Sequence, residues 1–517
     1  MWKKKIKELE EKRRLAELGG GEERIERQHK AGKMTARERI NCLLDKGSFV
    51  EVNAFVESRI NDFNLDKKRV PGDGVVTGYG KIEGRLVFVA AEEFTVIGGT
   101  LGEYHSFKIC KLQDMALEMK APFISINDSG GARIEEGICS LSGYSGMFLR
   151  NTWASGVIPQ IAVIMGPCSG GACYSPAICD FIFMVKNTSR MFITGPQVVK
   201  TVINEEATIE ELGGADIHAS KSGVAHFVYD GEKECLEGVR KLLQYLPDNN
   251  CAVKKQKAPF THRDTCDLSY ELTSIVPSNT RKPYDVKEVI LRIVDSDTFF
   301  EIQKEFAQNI VIGFCRMAGE VAGIIANQPN SLSGSLDCDS SDKMARFIRF
   351  CDCFSIPLIT LIDVPAFYPG KEQEHKGIIR HGAKILYAYA EATVPKISLI
   401  MRKAYGGAYI AMNSKNMGAD IVYAWPIAEI AVMGADGAVN IVFKKQIREA
   451  EDSAKKEAEL KEQYEKTFMN PYIAAKRGYV DEIIRPDETR MKLLYALDML
   501  RNKDIQNPYK KHGNIPL

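Results

Sequence analysis

The chain has no C-x-x-C pair, no G-x-x-x-x-G-K-[ST] loop and no H-E-x-x-H run. Its thirteen cysteines are odd in number and scattered, so structural zinc and a disulfide framework are both poor readings. Without a phosphate-cradling glycine loop, ATP use is not encoded here. His375 follows Glu374 with no second histidine in register, so no metal is expected in this subunit. Charge is equally uninformative: 69 basic against 68 acidic residues leaves a net +1, and nothing global points to nucleic acid.

The opening "MWKKKIKELEEKRRLAEL" lacks the apolar core of a signal peptide. The longest nearly uncharged run, Pro159 to Cys179, contains "GPCSGG" and is followed by Asp180, which argues against a membrane span. A reduced, cytoplasmic setting is therefore expected, with peripheral docking on a membrane complex left open. With 517 residues, 45% hydrophobic and 26% charged, the chain has material for two or three domains.

What is present is a duplication. Shifted by 235 residues, "VTGYGKIEGRLVFVAA" (76–91) lies over "VIGFCRMAGEVAGIIA" (311–326) without a gap. Gly99 then meets Gly334, Lys108 meets Lys343, and "APFISIND" meets "IPLITLID", pairing Asp128 with Asp363. At a shift of 236, "IPQIAVIMGPCSGGACY" aligns with "VPKISLIMRKAYGGAYI", so Gly170-Gly171-Ala172 falls on Gly406-Gly407-Ala408. In each copy short apolar strands alternate with helical patterns, which predicts β-α-β units, largely parallel sheets and an α/β fold. The predicted organisation is a helical arm over 1–48, a first domain over 49–245, a polar linker over 246–282 and a second domain over 283–517. The segment "KKQIREAEDSAKKEAELKEQYEK" reads as one long polar helix, either a solvated insertion or an oligomer contact.

Each copy carries two turns at strand ends: "NDSGGARIEEG" and "GPCSGGACY", then "DVPAFYPG" and "RKAYGGAY". A strand that ends in Gly-Gly and runs into a helix leaves the first helical N–H groups unpartnered and suited to an anion. Two such turns side by side can direct a pair of N–H groups at one oxygen, as an oxyanion hole does. The alternative, that the glycines only permit tight turns, is weakened by the repetition. Cys168 and Cys173 flank one turn but have no histidine near in sequence, so packing is the better reading. Glu135 and Glu136 could act as acid or base, but in a helix's first turn they more often complement its dipole.

These segments, with "GGGEERIERQHKAGKMTARERI", "MFITGPQVVK", "GIIRHGAKILYAYAEATVPKI" and "AWPIAEIAVMGADGAVNI", resemble the carboxyltransferase subunits of biotin-dependent acyl-CoA carboxylases and decarboxylases over nearly the whole chain. The likeness is greatest to propionyl-CoA carboxylase β chains, methylmalonyl-CoA decarboxylase α chains and the transcarboxylase core subunit. The resemblance implies two tandem crotonase-like (ClpP/crotonase) ββα-superhelix domains and a homo-hexamer. It also implies an active site between the first domain of one subunit and the second of another. Gly131, Ala132, Gly171 and Ala172 would serve an acyl-CoA thioester. Ala366, Phe367, Gly407 and Ala408 would serve biotin, with Tyr174, Tyr409 and Ile410 lining the substrate.

Neither Met119-Lys120 nor the Met-Lys of "RMKLLY" suits a biotinyl hairpin, so biotin is expected on a separate carrier protein. A biotin carboxylase subunit or a membrane decarboxylase subunit would complete the system. The two directions of transfer, carboxylation and sodium-pumping decarboxylation, both stay open. So does a crotonase-type hydratase or hydrolase using Glu135 or Glu136. Where the family usually has "DVPGF" this chain has "DVPAF", and Ala366 would cost roughly 1 kcal/mol if that position needed positive φ.

Overall fold

The computed structural model describes residues 1–251 and 271–517. The expected linker, 246–282, lies in part outside the described residues. The chain divides into two compact units, Met1–Val253 and Lys254–Leu517.

In the first unit the strands are β1 (Val50–Glu51), β2 (Val75–Ile82), β3 (Arg85–Glu92), β4 (Phe123–Ser129), β5 (Gln160–Ser169), β6 (Phe181–Val185), β7 (Arg190–Phe192) and β8 (Phe227–Tyr229). They form one sheet in the order β1-β2-β3-β4-β5-β6-β8, with β7 continuing against the end of β5. β1, β2 and β3 pair antiparallel, and every pairing from β3 onward is parallel. The second unit repeats the plan with β9 (Phe300–Ile302), β10 (Ile310–Met317), β11 (Glu320–Asn327), β12 (Leu358–Val364), β13 (Lys396–Tyr405), β14 (Ile421–Ala424), β15 (Glu429–Ala431) and β16 (Glu482–Ile483). Its order is β16-β14-β13-β12-β11-β10-β9, with β15 against β13. Each unit is thus an antiparallel hairpin leading into parallel β-α turns, the expected crotonase-type ββα plan given twice.

β4 and β12 are buried along their whole length; β12 is largely apolar, whereas β4 ends in Asn127, Asp128 and Ser129, whose side chains are hydrogen-bonded. Ile109, Leu112 and Ala116 of the helix Glu103–Met119 pack with Tyr144 and Met147 of the helix Ile138–Ala154 in the first core. In the second unit Val286, Val289, Ile290 and Ile293, spaced i, i+3, i+4, i+7, bury one face of the helix Val286–Ile293.

The repeated lysines have a shared structural use. Lys108 Nζ donates to the carbonyls of Gly72 (2.9 Å) and Val75, while Lys343 Nζ donates to those of Phe306 (2.7 Å) and Ile310 (2.8 Å). Each therefore ties the loop before its hairpin to the helix, and the carbonyls offset the cost of burying an ammonium.

The polar segment expected as one helix is two, Lys444–Glu449 and Ser453–Phe468. The break has a local cause: Asp452 accepts the Lys455 N–H at 3.0 Å and so starts a new helix. Among the described residues no helix is long and apolar enough to cross a membrane.

Candidate active site

β4 and β5 run parallel, and beyond a register shift after Asn127 their ends meet at Ser129 and Cys168. The two turns of the first unit therefore leave from neighbouring strand ends. Their separation is tight, since a Cβ on Gly131 would stand 3.0 Å from the Ser169 carbonyl oxygen. Gly131 also takes φ +103°, and Gly170, at φ +61°, bends the chain into the short helix Gly170–Cys173.

Hydrogen bonds decide which N–H groups face outward. The Leu101 N–H donates to the Gly131 carbonyl, and the Arg133 N–H donates to the Leu101 carbonyl, each at 2.9 Å. Ala132, the residue between, is bridged to Leu101 in parallel fashion and directs its own N–H the other way. Among the described residues the N–H groups of Ala132 and Gly171 have no hydrogen-bond partner, whereas the Ala172 N–H lies inside the 3-10 turn that closes on Ser169. The Gly131 N–H, by contrast, is taken by Ser129 Oγ at 3.2 Å.

The second unit builds the same corner. β12 and β13 meet at Val364 and Ala404 after a register shift, Phe367 is bridged to Leu336, and Gly406 (φ +57°) bends the chain into the helix Gly406–Ala411. The Leu336 N–H donates to the Ala366 carbonyl (3.1 Å) and the Tyr368 N–H to the Leu336 carbonyl (2.6 Å). The N–H groups of Phe367, Gly407 and Ala408 have no partner among the described residues. Nothing lies within 4 Å of where a Gly407 Cβ would be, so the space above this turn is open. Ala366 is not among the residues with positive φ, so alanine fits here without the strain anticipated from the glycine usual at this place.

Around these turns Tyr174 and Ile410 are about half exposed, at 48% and 46%, and so are free to touch a ligand. Tyr409 is partly buried, which pushes its hydroxyl up to about 12. Of the remaining candidates Glu135 is partly buried and makes no hydrogen bond or ion pair among the described residues, while the others are structurally engaged. Glu136 forms a buried ion pair with Arg133 (2.8 Å) and accepts the Glu103 N–H (2.6 Å), so an ion pair, more than a helix dipole, accounts for it. Cys168 and Cys173 are buried, and Cys173 Sγ donates to the Cys168 carbonyl at 2.8 Å. Among the described residues no group of three His, Cys, Asp or Glu side chains is placed to hold a metal ion.

Residues that the sequence did not single out support the corners. Arg133, fully buried, is pinned between Asp73 (2.7 Å) and Glu136 (2.8 Å). Tyr405, just before Gly406, donates to the Glu429 carboxylate, whose pKa burial raises. Ser129 stood out only as a hydroxyl where the second copy has Val364.

Comparison with known proteins places the chain in a family. The family described as "Carboxyl transferase domain" matches residues 27–515. The chain is 55% identical over 513 residues to the propionyl-CoA carboxylase carboxyltransferase subunit of Haloferax mediterranei, covering 99% of each. It is 54% identical over 516 residues to the methylmalonyl-CoA decarboxylase subunit alpha of Propionigenium modestum, again covering 99% of each. A transcarboxylase 12S crystal structure with methylmalonyl-coenzyme A and methylmalonic acid bound superposes with TM-score 0.96 at 52% identity, covering 99% of this chain and 98% of that one. The chain belongs to the carboxyl transferase family and is an acyl-CoA carboxyltransferase.

Proposed function

We propose that the chain moves a carboxylate between carboxybiotin on a separate carrier protein and the α-carbon of a short-chain acyl-CoA such as propionyl-CoA. The observation that carries this reading is the doubled corner: two strand-end turns per unit, each pair presenting unpartnered backbone N–H groups. Both reacting partners have a carbonyl that gains negative charge during transfer, so two donor sets match two oxygens. Ala132 and Gly171 would hold the thioester oxygen, with Gly131 and Ala172 shaping the turns. Phe367, Gly407 and Ala408, with Ala366 shaping theirs, would hold the biotin ureido oxygen.

Each such donor typically lowers the barrier by about 2.7–4 kcal/mol. Biotin supplies the carboxylate and a ureido nitrogen able to take the α-proton, so the chain needs no side-chain base. Its own contribution is to place donors, and the open space above Gly407 leaves room for the ligand. Half-exposed Ile410 and Tyr174 would border the acyl group, with Tyr409 beside them.

The division into an arm (1–48), an acyl-CoA domain (49–245), a linker (246–282) and a biotin domain (283–517) is part of this reading. So are a cytoplasmic location and a partnership with a biotin carrier and a biotin carboxylase subunit. The hexamer named for the transcarboxylase 12S structure suggests a homo-hexamer here. The similarity to a decarboxylase alpha subunit supports a second direction, removal of carboxylate from methylmalonyl-CoA with a membrane partner deciding the flow.

The test is to incubate the purified protein with free biotin and malonyl-, methylmalonyl- and longer acyl-CoAs. Turnover that depends on biotin and favours short acyl groups is expected. Equal turnover without biotin would overturn the reading and favour a hydratase or hydrolase.

A further inference from the structure

The two corners share a backbone plan but differ in what holds them, and the difference centres on Ser129. In the first unit this residue is fully buried at the end of β4. Its hydroxyl donates to the Gly99 carbonyl at 2.7 Å, which commits the only proton and leaves the oxygen as an acceptor. The acceptor takes the Gly131 N–H at 3.2 Å. One hydroxyl thus joins the turn after β3 to the turn after β4 and fixes the Gly130–Gly131 peptide; the next peptide, which carries the Ala132 N–H, is held through the Gly131 carbonyl by the Leu101 N–H (2.9 Å).

The far side of Ala132 is fixed in the same manner. The Arg133 N–H donates to Leu101 O and also to Ser140 Oγ (3.1 Å), while the Ser140 hydroxyl donates to Leu101 O at 2.5 Å. Ala132 therefore sits between a peptide held by the Leu101 N–H and one held by Leu101 O and Ser140 Oγ, with Ser129 bracing the peptide one residue earlier, and its own N–H is left pointing out.

The second unit supplies an internal comparison. At the place of Ser129 stands Val364, which has no hydroxyl, and at the place of Arg133 stands Tyr368, which is 40% exposed. There the Gly334 carbonyl, at the place of Gly99, is taken instead by Asn327 Nδ2 (3.0 Å), no side-chain bond to the Ala366 N–H is present among the described residues, and Phe367 is bridged to Leu336. The serine hub belongs to the acyl-CoA side alone.

We propose that Ser129 is a positioning residue that sets the direction of the Ala132 N–H toward the thioester oxygen. The proposal rests on the carboxyltransferase reading given above. A donor must lie where charge develops in the transition state, and misplacement on the order of 1 Å can cost about 10²-fold in rate. Loss of the hydroxyl frees the Gly130–Gly131 peptide and unties Gly99, two residues before Leu101, so the Leu101–Gly131 bond that aims the Ala132 N–H loses its brace at both ends. The substrate would still bind through its remaining contacts, so the effect belongs to kcat and not to KM.

The experiment measures biotin-dependent decarboxylation of methylmalonyl-CoA by the full chain with free biotin, for wild type, Ser129→Ala and Ser129→Cys. Cysteine nearly keeps the volume of serine but is a weak acceptor, so it retains packing while loosening the hub. The expected result is kcat lower by on the order of 10- to 100-fold in both variants, with KM for methylmalonyl-CoA within about threefold of wild type. If alanine at this buried place weakens the fold, the cysteine variant decides. Wild-type kcat in Ser129→Cys overturns the proposal, and so does a change confined to KM. Failure of the underlying reading would look different, because wild type itself would then show no dependence on biotin.

Discussion

Arg240 and Arg490, 250 residues apart, make the same pair of contacts. Arg240 donates to the Leu43 carbonyl (2.6 Å) and pairs with Asp45 (3.0 Å); Arg490 donates to the Ile293 carbonyl (2.7 Å) and pairs with Asp295 (2.5 Å). The aspartates repeat too, since Asp45 accepts the N–H groups of Glu83 and Gly84 while Asp295 accepts those of Ala318 and Gly319. Each arginine therefore ties a late helix of its unit to an early helix and, through the aspartate, to the hairpin turn. The pairs differ in burial: the Arg490 side chain is 5% exposed, that of Arg240 25%. Arg490→Met should lower unfolding stability by about 3 kcal/mol and Arg240→Met by about 1 kcal/mol, read from urea midpoints. Equal losses would mean that burial does not set the value of these pairs.

This part of the duplication was not legible in the sequence, and the reason is spacing. β2 through β4 repeat at a shift of 235, which the aligned glycines made visible. The helices Ala36–Leu43 and Val286–Ile293 repeat at 250, because the first unit carries extra residues, including the short helix Asp62–Lys68, between β1 and β2. A search at one fixed offset loses the match there, although Glu38, Ile40, Asp45, Phe49 and Glu51 recur 250 residues later as Glu288, Ile290, Asp295, Phe299 and Glu301. The turns were legible because Gly-Gly at a strand end has few other uses. Ser129 and Arg133 were not, because their partners Gly99 and Asp73 are brought near only by the folded sheet. The polar helix was misread as continuous because helical periodicity does not show a break that one capping aspartate makes.

Glu92 and Asn327 also occupy equivalent places, and each accepts a backbone N–H, from Asp128 (2.9 Å) and Asp363 (3.1 Å) respectively. Burial pushes the Glu92 carboxyl up to about 8, aided by the neighbouring Asp128 charge and opposed by the Asp128 N–H bond and by Arg39. His105, whose Nε2 lies 3.7 Å from Glu92, is pushed down to about 3, also by burial. The two are therefore a neutral pair near pH 7 and not an ion pair.

The signs of the pH effects follow from these directions. Folded Glu92 keeps its proton where the unfolded chain, at 4.5, has released it, so stability falls as pH rises from about 4.5 to about 8. His105 acts oppositely, with stability falling as pH drops from 6.5 to about 3. Glu92→Gln, which supplies the amide already present at Asn327, should flatten the loss of urea stability between about pH 5 and about pH 8. An unchanged slope would assign it to other groups.

Gly407 occupies the second position of the helix Gly406–Ala411, where proline is tolerated by a helix but removes the N–H. Gly407→Pro should therefore abolish biotin-dependent turnover while acyl-CoA binding, followed by calorimetry, stays within about threefold of wild type. Loss of both would mean that the turn is structural or that the two donor sets are divided differently.

Gly131 and Ala366 occupy the same place in the two repeats but not the same conformation. Gly131 has φ +103° and no room for a Cβ beside the Ser169 carbonyl, whereas Ala366 lies outside the positive-φ region. Gly131→Ala should thus strain the first unit's turn by at least about 1–2 kcal/mol and, on the proposed function, lower kcat on the order of 100-fold. Ala366→Gly relieves no strain and adds freedom to the unfolded chain, so it should cost about 0.4–1 kcal/mol of stability. Its kcat should stay within about twofold of wild type, since the Phe367 N–H is still held by the bridge to Leu336. A rise in kcat well beyond twofold in Ala366→Gly would show that the second unit's turn works in a conformation which alanine resists, and that the two corners converge when ligand is bound.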